Sequence, residues 1–239
     1  MKKLGILGGM GPAATAKLFS RIIELTDVET DQEHIKITIL NNPQVPDRTA
    51  YILDETKESF VPILQEMAKT LEQDGCEVLA MPCNAAHSHW RDLNDAVKKA
   101  TFINMLAETA SLLRTLGCAR PGLLATDGII RSGVFHDELA VAGLEAIVPD
   151  EPFQREVMSA IYDYVKAGRA IPEGLLDEVC DHLLERGADS LILGCTELAF
   201  LGIPTRYKGA PVADTIDVLA WRSVIECGAP AKDLTAIYA

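Results

Sequence analysis

The sequence predicts an α/β fold built as two similar lobes of mostly parallel, helix-flanked sheet. Three observations lead there. Apolar runs of strand length alternate with longer segments that carry apolar residues at helical spacing. The alternation occurs twice along 239 residues, a length that supplies cores for one large domain or two small ones. Each round also ends in the same device, an apolar strand that delivers a cysteine. GCEVLAMPCNAAH opens at Gly75 and GADSLILGCTELA at Gly187, with Cys83 and Cys195 at the same offset from those glycines.

Taken in order, LGILG at 4–8 is an apolar run of strand length. Pro12 opens the helix that runs on to about Leu25, because a proline in the first turn forfeits no helical hydrogen bond. HIKITILN at 34–41 reads as the second strand. The segment 54–75 has helical periodicity and stops at Gly75. CEVLAMP leads to Cys83, and HSHWRDLNDAVKK reads as the helix behind it. In the second round PGLLATDG at 121–128 is strand then glycine loop, and LEAIVP at 144–149 is the next strand. The long helix falls at 172–187, and SLILG is the strand before Cys195. The expected first lobe is 1–102 plus 208–239, carrying Cys83, and the second is 103–207, carrying Cys195. Ligands of open parallel sheets gather beyond the carboxyl ends of the strands. Two such lobes facing each other would set one thiol on each wall of a shared cleft.

Composition removes several classes of function. Apolar residues make up 48% and charged residues 24% of the chain, as in an ordinary globular protein. A formal net charge of −13 argues against nucleic acid or an anionic membrane as partner. No apolar run approaches the ~20 residues that span a bilayer. The start, MKKLGILGGMGP, has too short an apolar part for a signal peptide and breaks at glycines. The expected compartment is therefore the cytoplasm, where thiols stay reduced. The six cysteines show no CxxC pair and no zinc-type Cys/His spacing, so neither a disulfide framework nor a metal is expected.

Each remaining motif has a plain reading beside its functional one. Cys76, Cys118, Cys180 and Cys227 read as small core hydrophobes. Cys83 and Cys195 differ because they sit just past a strand beside hydrogen-bonding neighbours, Asn84 and Thr196, where a thiolate is accessible. Gly9, Gly11 and Ala14 formally fit a dinucleotide fingerprint. That fingerprint needs an acidic residue at the end of the second strand, and here the strand ends in Asn41, Asn42 and Pro43. Close backbone approach and attraction of a small anion to the helix start fit these glycines better. His87 and His89 are two apart, diverge on a helix, and read as surface or helix-start histidines. Arg48 is either a surface arginine or an overhang of the cleft. Lys166 by itself is a helix-terminal lysine.

Three chemistries suit a cysteine pair. A redox dithiol fits poorly, because the two lie in separate lobes without CxxC spacing. Single-thiol nucleophilic catalysis needs a base, no histidine stands beside Cys195, and the second thiol would go unused. Proton transfer by two bases, one on each face of a carbon, uses both thiols and explains the duplication.

The motifs LGILGGMGP, NNPQVPDRTAYIL, MPCNAAH, LLATDGIIRSG, LGCTEL and PVADT together resemble the cofactor-independent aspartate/glutamate racemase superfamily, and within it the aspartate racemase branch. The resemblance covers nearly the whole chain. It implies two Rossmann-like lobes related by a pseudo-twofold axis, an interlobe active site, a homodimer, and neither pyridoxal phosphate nor metal. It implies Cys83 and Cys195 as the acid/base pair. Asn84, Thr126 and Thr196 would hold the amino and carboxylate ends of an amino-acid substrate, and Arg48 with Lys166 the distal carboxylate of an acidic one. Met10, Ala85 and Glu197, in the same motifs, complete the implied substrate-binding set. Ala85 stands where the family often has threonine, and Gly128-Ile129 where it usually has Gly-Thr. The first loop reads Gly9-Met10-Gly11 and the second thiol motif GCTELA, unlike the DSG and GCTHYP of the cell-wall glutamate racemases. The expected activity is interconversion of L- and D-aspartate, or glutamate. Broad-specificity amino-acid or hydantoin racemisation and maleate isomerisation are the enzyme alternatives, and an amino-acid binding protein is the non-enzyme one.

Overall fold

A computed structural model describes residues 1–238. The chain forms two four-stranded sheets. The first is built from β1 (Leu4–Gly8), β2 (Ile37–Asn41), β3 (Val78–Ala80) and β4 (Thr101–Phe102), in the order β2-β1-β3-β4. All its pairings are parallel, with Leu4 beside Ile37 and Val78. The second holds β5 (Pro121–Leu124), β6 (Ser190–Leu193), β7 (Arg206–Tyr207) and β8 (Ala210–Asp214), in the order β5-β6-β8-β7. Its pairings are parallel except for the short β7–β8 hairpin.

The central strands β1, β3, β5 and β6 are buried throughout, as strands covered on both faces must be, and so read as unbroken apolar runs. In chain order the helices of the first half are α1 (Pro12–Leu25), α2 (Arg48–Leu53), α3 (Val61–Gln73) and α4 (Trp90–Asn94). Those of the second half are α5 (Met105–Thr115), α6 (Asp127–Ser132), α7 (Val134–Val141), α8 (Glu151–Ser159) and α9 (Asp177–Glu185), then α10 (Thr215–Glu226) and α11 (Leu234–Tyr238). α1 covers one face of the first sheet and α3 the other. α9 covers one face of the second sheet, and α5 with α7 the other.

The sequence repeat survives in three dimensions. The expected strand at 144–149 shrinks to a single parallel bridge from Ile147 to Gly122. With that bridge counted as an edge and the short β7 set aside, both sheets have the same order: edge, first strand, thiol strand, last parallel strand. Gly5 pairs with Leu79 and Gly122 with Leu191. A Cβ at either glycine would meet its partner leucine's Cδ2, at 2.8 Å and 2.9 Å, so the same close strand contact is made twice.

The stretch 208–239 departs from expectation. β8 does not return to the first half but extends the second sheet beside β6, where Val212 and Ala213 are buried. Only after it does the chain cross over. α10 and α11 place Ile216, Val218, Leu219 and Leu234 in one cluster with Leu4, Leu18 and Ile22. The arrangement is reciprocal, because α5 follows β4 yet sets Leu106, Ala110 and Leu113 against Leu123 and Phe135 of the second half. Each sheet's last strand thus hands its helix to the other half. Polar contacts fasten the crossing: Arg21 of α1 grips Asp217 of α10 through two hydrogen bonds of 2.7 and 3.0 Å. Among the described residues no helix is long and apolar enough to cross a membrane.

Candidate active site

The two thiol strands end at the same place. Cys83 follows β3, Cys195 follows β6, and both open on one cavity between the carboxyl ends of the two sheets. Every residue named from the sequence as catalytic or substrate-binding lines it. The first half brings Met10, Arg48, Cys83, Asn84 and Ala85; the second brings Thr126, Lys166, Cys195, Thr196 and Glu197.

Local structure explains each placement. Gly9 has φ +105°, and a Cβ there would lie 2.3 Å from the Asn42 backbone, so only glycine lets the Met10 loop press against the end of β2. Asp47 caps α2 by accepting from the Ala50 N–H at 2.7 Å, which starts the helix with Arg48 facing inward. Thr126 caps α6 and also meets Thr49 Oγ1 at 3.3 Å across the two halves. Lys166 ends the π-helical turn Ala160–Val165 that extends α8.

The two sulfurs face opposite charges. Arg48 lies against Cys83. Burial pulls its guanidinium down, but the charges of Cys83, Asp47 and Glu197 outweigh that and hold it above its ordinary value. Its Nη1 donates to the Val45 and Pro46 carbonyls at 3.2 and 3.0 Å, while the buried Nε has no partner. Cys195 instead donates its S–H to Glu197 Oε2 at 3.0 Å. Burial, and then the Glu197 charge, push the Cys195 thiol well above its usual range, so it stands as a neutral donor. Burial alone would raise Glu197, but Lys166 and the Cys195 hydrogen bond bring its carboxyl below the ordinary value. Lys166 Nζ donates to Glu197 Oε1 at 2.7 Å with its side chain 27% exposed. The cavity thus holds two cations, Arg48 and Lys166, one anion, Glu197, and the neutral Cys195 thiol.

Thr49 and Tyr162 also line the cavity. Thr49 adjoins Arg48, and Tyr162 lies one helical turn before Lys166, whose ammonium sits 5.6 Å from its ring centre. Helical spacing from Lys166 could have found Tyr162. His87 lies in the turn that leads into α4, as a helix-start histidine, but it is 2% exposed rather than on the surface, with both ring nitrogens committed. Nδ1 donates to the Cys83 carbonyl at 2.8 Å, and Nε2 accepts from the Met105 N–H at 3.2 Å. Burial takes its pKa down to about 4, so the ring is neutral and bolts the Cys83 loop to the start of α5. His89 is half-buried, 2.9 Å from Asp92 Oδ2, and packs edge-on to Phe60.

The cavity measures about 30 Å³, room for roughly one water molecule. Anything larger enters only if side chains give way. Of the Lys166–Glu197 pair, Lys166 is the partly exposed member.

Comparison with known proteins agrees with this geometry. A family model described as Asp/Glu/Hydantoin racemase matches residues 7–223. The aspartate racemase of Picrophilus torridus has 31% sequence identity and a TM-score of 0.81, covering 100% of this chain and 99% of its own. An aspartate racemase homologue from Pyrococcus horikoshii OT3 shares the fold with a TM-score of 0.76 at 23% identity, covering 95% of this chain and 100% of its own. The broad specificity amino-acid racemase of Bacillus subtilis (strain 168) is 26% identical over 205 residues, 82% of this chain and 85% of that protein.

Proposed function

The chain belongs to the Asp/Glu/hydantoin racemase family, and from that premise we propose that it is an aspartate racemase working through Cys83 and Cys195. The observation that carries the reading is that both thiols open on one cavity flanked by charges of opposite sign. A carboxylate that accepts a thiol's hydrogen bond favours the neutral thiol. Cys195 therefore starts as the acid, which leaves the base role to Cys83. Cys83 removes the α-proton from one face, and Cys195 delivers its own proton to the other, inverting the centre. The step leaves a thiol at Cys83 and a thiolate at Cys195. The reverse reaction starts from that state. The same reading has the enzyme acting without a bound cofactor, as a cytoplasmic homodimer.

Substrate class follows from charge. A protein of net charge −13 must collect cations locally to admit a dicarboxylate, and the first half brings Arg48 and the second Lys166 to the cavity. Arg48 offers a planar fork whose Nε is still without an acceptor. Lys166 can exchange Glu197 for the distal carboxylate, which opens the space a substrate needs. At the other end the Asn84 Oδ1, buried and without a partner, suits an α-ammonium.

The experiment is a substrate panel. A hydrogen bond to a charged group contributes ~1.5–3 kcal/mol, or roughly one to two decades in kcat/KM. Arg48→Ala is expected to lose about that much on aspartate and far less on alanine or serine. Lys166→Ala should show the same bias more weakly. Equal losses on charged and uncharged substrates would remove the acidic-substrate assignment and favour a broad-specificity racemase.

A further inference from the structure

The residue that fixes Asn84 lies in the other half of the chain. Thr215 follows β8 as the first residue of α10 and is 0% exposed. Its Oγ1 lies 3.1 Å from the Leu193 carbonyl at the end of β6, and 3.0 Å from Asn84 Nδ2. A threonine hydroxyl has one hydrogen. Spent on the Leu193 carbonyl, it leaves only lone pairs toward Asn84, so the group that meets it must be the amide NH2. The amide oxygen is thereby turned away from Thr215, where it has no partner in the structure. Helix capping does not need the hydroxyl, because Asp214 caps α10 by accepting from the Ile216 N–H at 2.8 Å.

We propose that Thr215 is a positioning residue that locks the Asn84 amide with its carbonyl oxygen toward the cavity, as the acceptor for the substrate's ammonium group. The proposal rests on the amino-acid racemase reading above. Thr215 also ties the loop of Cys83, next to Asn84, to the strand end that carries Cys195, so the two thiols share one anchor. Without the hydroxyl the amide can turn over, offering an NH2 group to an ammonium that needs an acceptor. The loss therefore falls on recognition of the amine and not on the carboxylates.

The test compares Thr215→Val, which keeps the shape without the hydroxyl, with Thr215→Ser, which restores it. For Thr215→Val we expect KM for aspartate to rise roughly ten-fold with a smaller change in kcat. Inhibition by succinate, a dicarboxylate with no amine, should stay within about two-fold of the wild type. Thr215→Ser should recover the wild-type KM. Equal weakening of aspartate and succinate in Thr215→Val, or no change in aspartate KM, would overturn the proposal. The Asn84 side-chain NH2 resonances give a readout that needs no substrate. Held by Thr215, they should exchange slowly with solvent in the wild type and Thr215→Ser, and rapidly in Thr215→Val. If the wild type fails to turn over aspartate while that contrast holds, the substrate reading falls and the positioning role stands. An unchanged Asn84 signal in Thr215→Val sinks the positioning role itself.

Discussion

Replacing either Cys83 or Cys195 with alanine is expected to reduce racemisation by ~10²–10⁴-fold, the usual contribution of a general acid or base, with the fold intact. The two losses should differ in kind. A lone thiol can remove a proton from its own face and return one from solvent to the same face. Each variant should therefore still exchange the α-proton of one enantiomer in heavy water with retention, and Cys83→Ala and Cys195→Ala should favour opposite enantiomers. Chiral chromatography with mass detection reads both outcomes. Near-native inversion in Cys83→Ala would mean that Cys83 is not part of the chemistry.

The second large effect is on stability. His87 is held neutral, its pKa lowered from 6.5 to about 4. Its folded value lies below its unfolded one, so the stability it contributes is complete above about pH 6.5. It is lost as pH falls toward 4, because the unfolded chain takes up the proton first. The size is about 3 kcal/mol at ~1.4 kcal/mol per unit. Asp214 works in the opposite sense. Burial and the nearby Asp217 raise its carboxyl from 3.8 to about 6, so acidification over that window favours the fold. The two oppose each other, so a wild-type pH curve alone mixes both. The difference in unfolding free energy between wild type and His87→Gln isolates the histidine. We expect that difference to shrink by about 3 kcal/mol between about pH 7 and pH 4; a flat difference would show that the ring is not held neutral.

The parts of the fold legible in the sequence are those fixed by local pattern. β1 and α1 fall at 4–8 and 12–25 as expected, because an apolar run bounded by glycine and a first-turn proline need no distant partner. Segments whose limits depend on tertiary contacts do not. α3 begins at Val61 rather than 54, with Pro62 in its first turn. α9 begins at Asp177 rather than 172, because Gly174 takes φ +70° and breaks the run. The helix expected through Lys99 ends at Asn94, since Glu72 Oε1 accepts the N–H groups of Lys98, Lys99 and Ala100 and bends the chain away. The loop after β2 contains the short helix α2, which only the Asp47 cap announces.

The site was more legible than the fold's edges, because its residues sit in short motifs at strand ends. What escaped acts across the molecule. Thr215 meets Leu193 and Asn84, both distant in sequence, only through the placement of β8 in the second sheet. His87 looked ordinary because its partners are main-chain groups that no side-chain pattern reveals.

The most direct measurement is to incubate the purified protein, dialysed against a chelator, with L-aspartate in heavy water and resolve the products by enantiomer and mass. Two-thiol inversion predicts D-aspartate that carries deuterium at the α-carbon from the first turnover, with no cofactor added. Aspartate recovered entirely as the unlabelled L-form would contradict it.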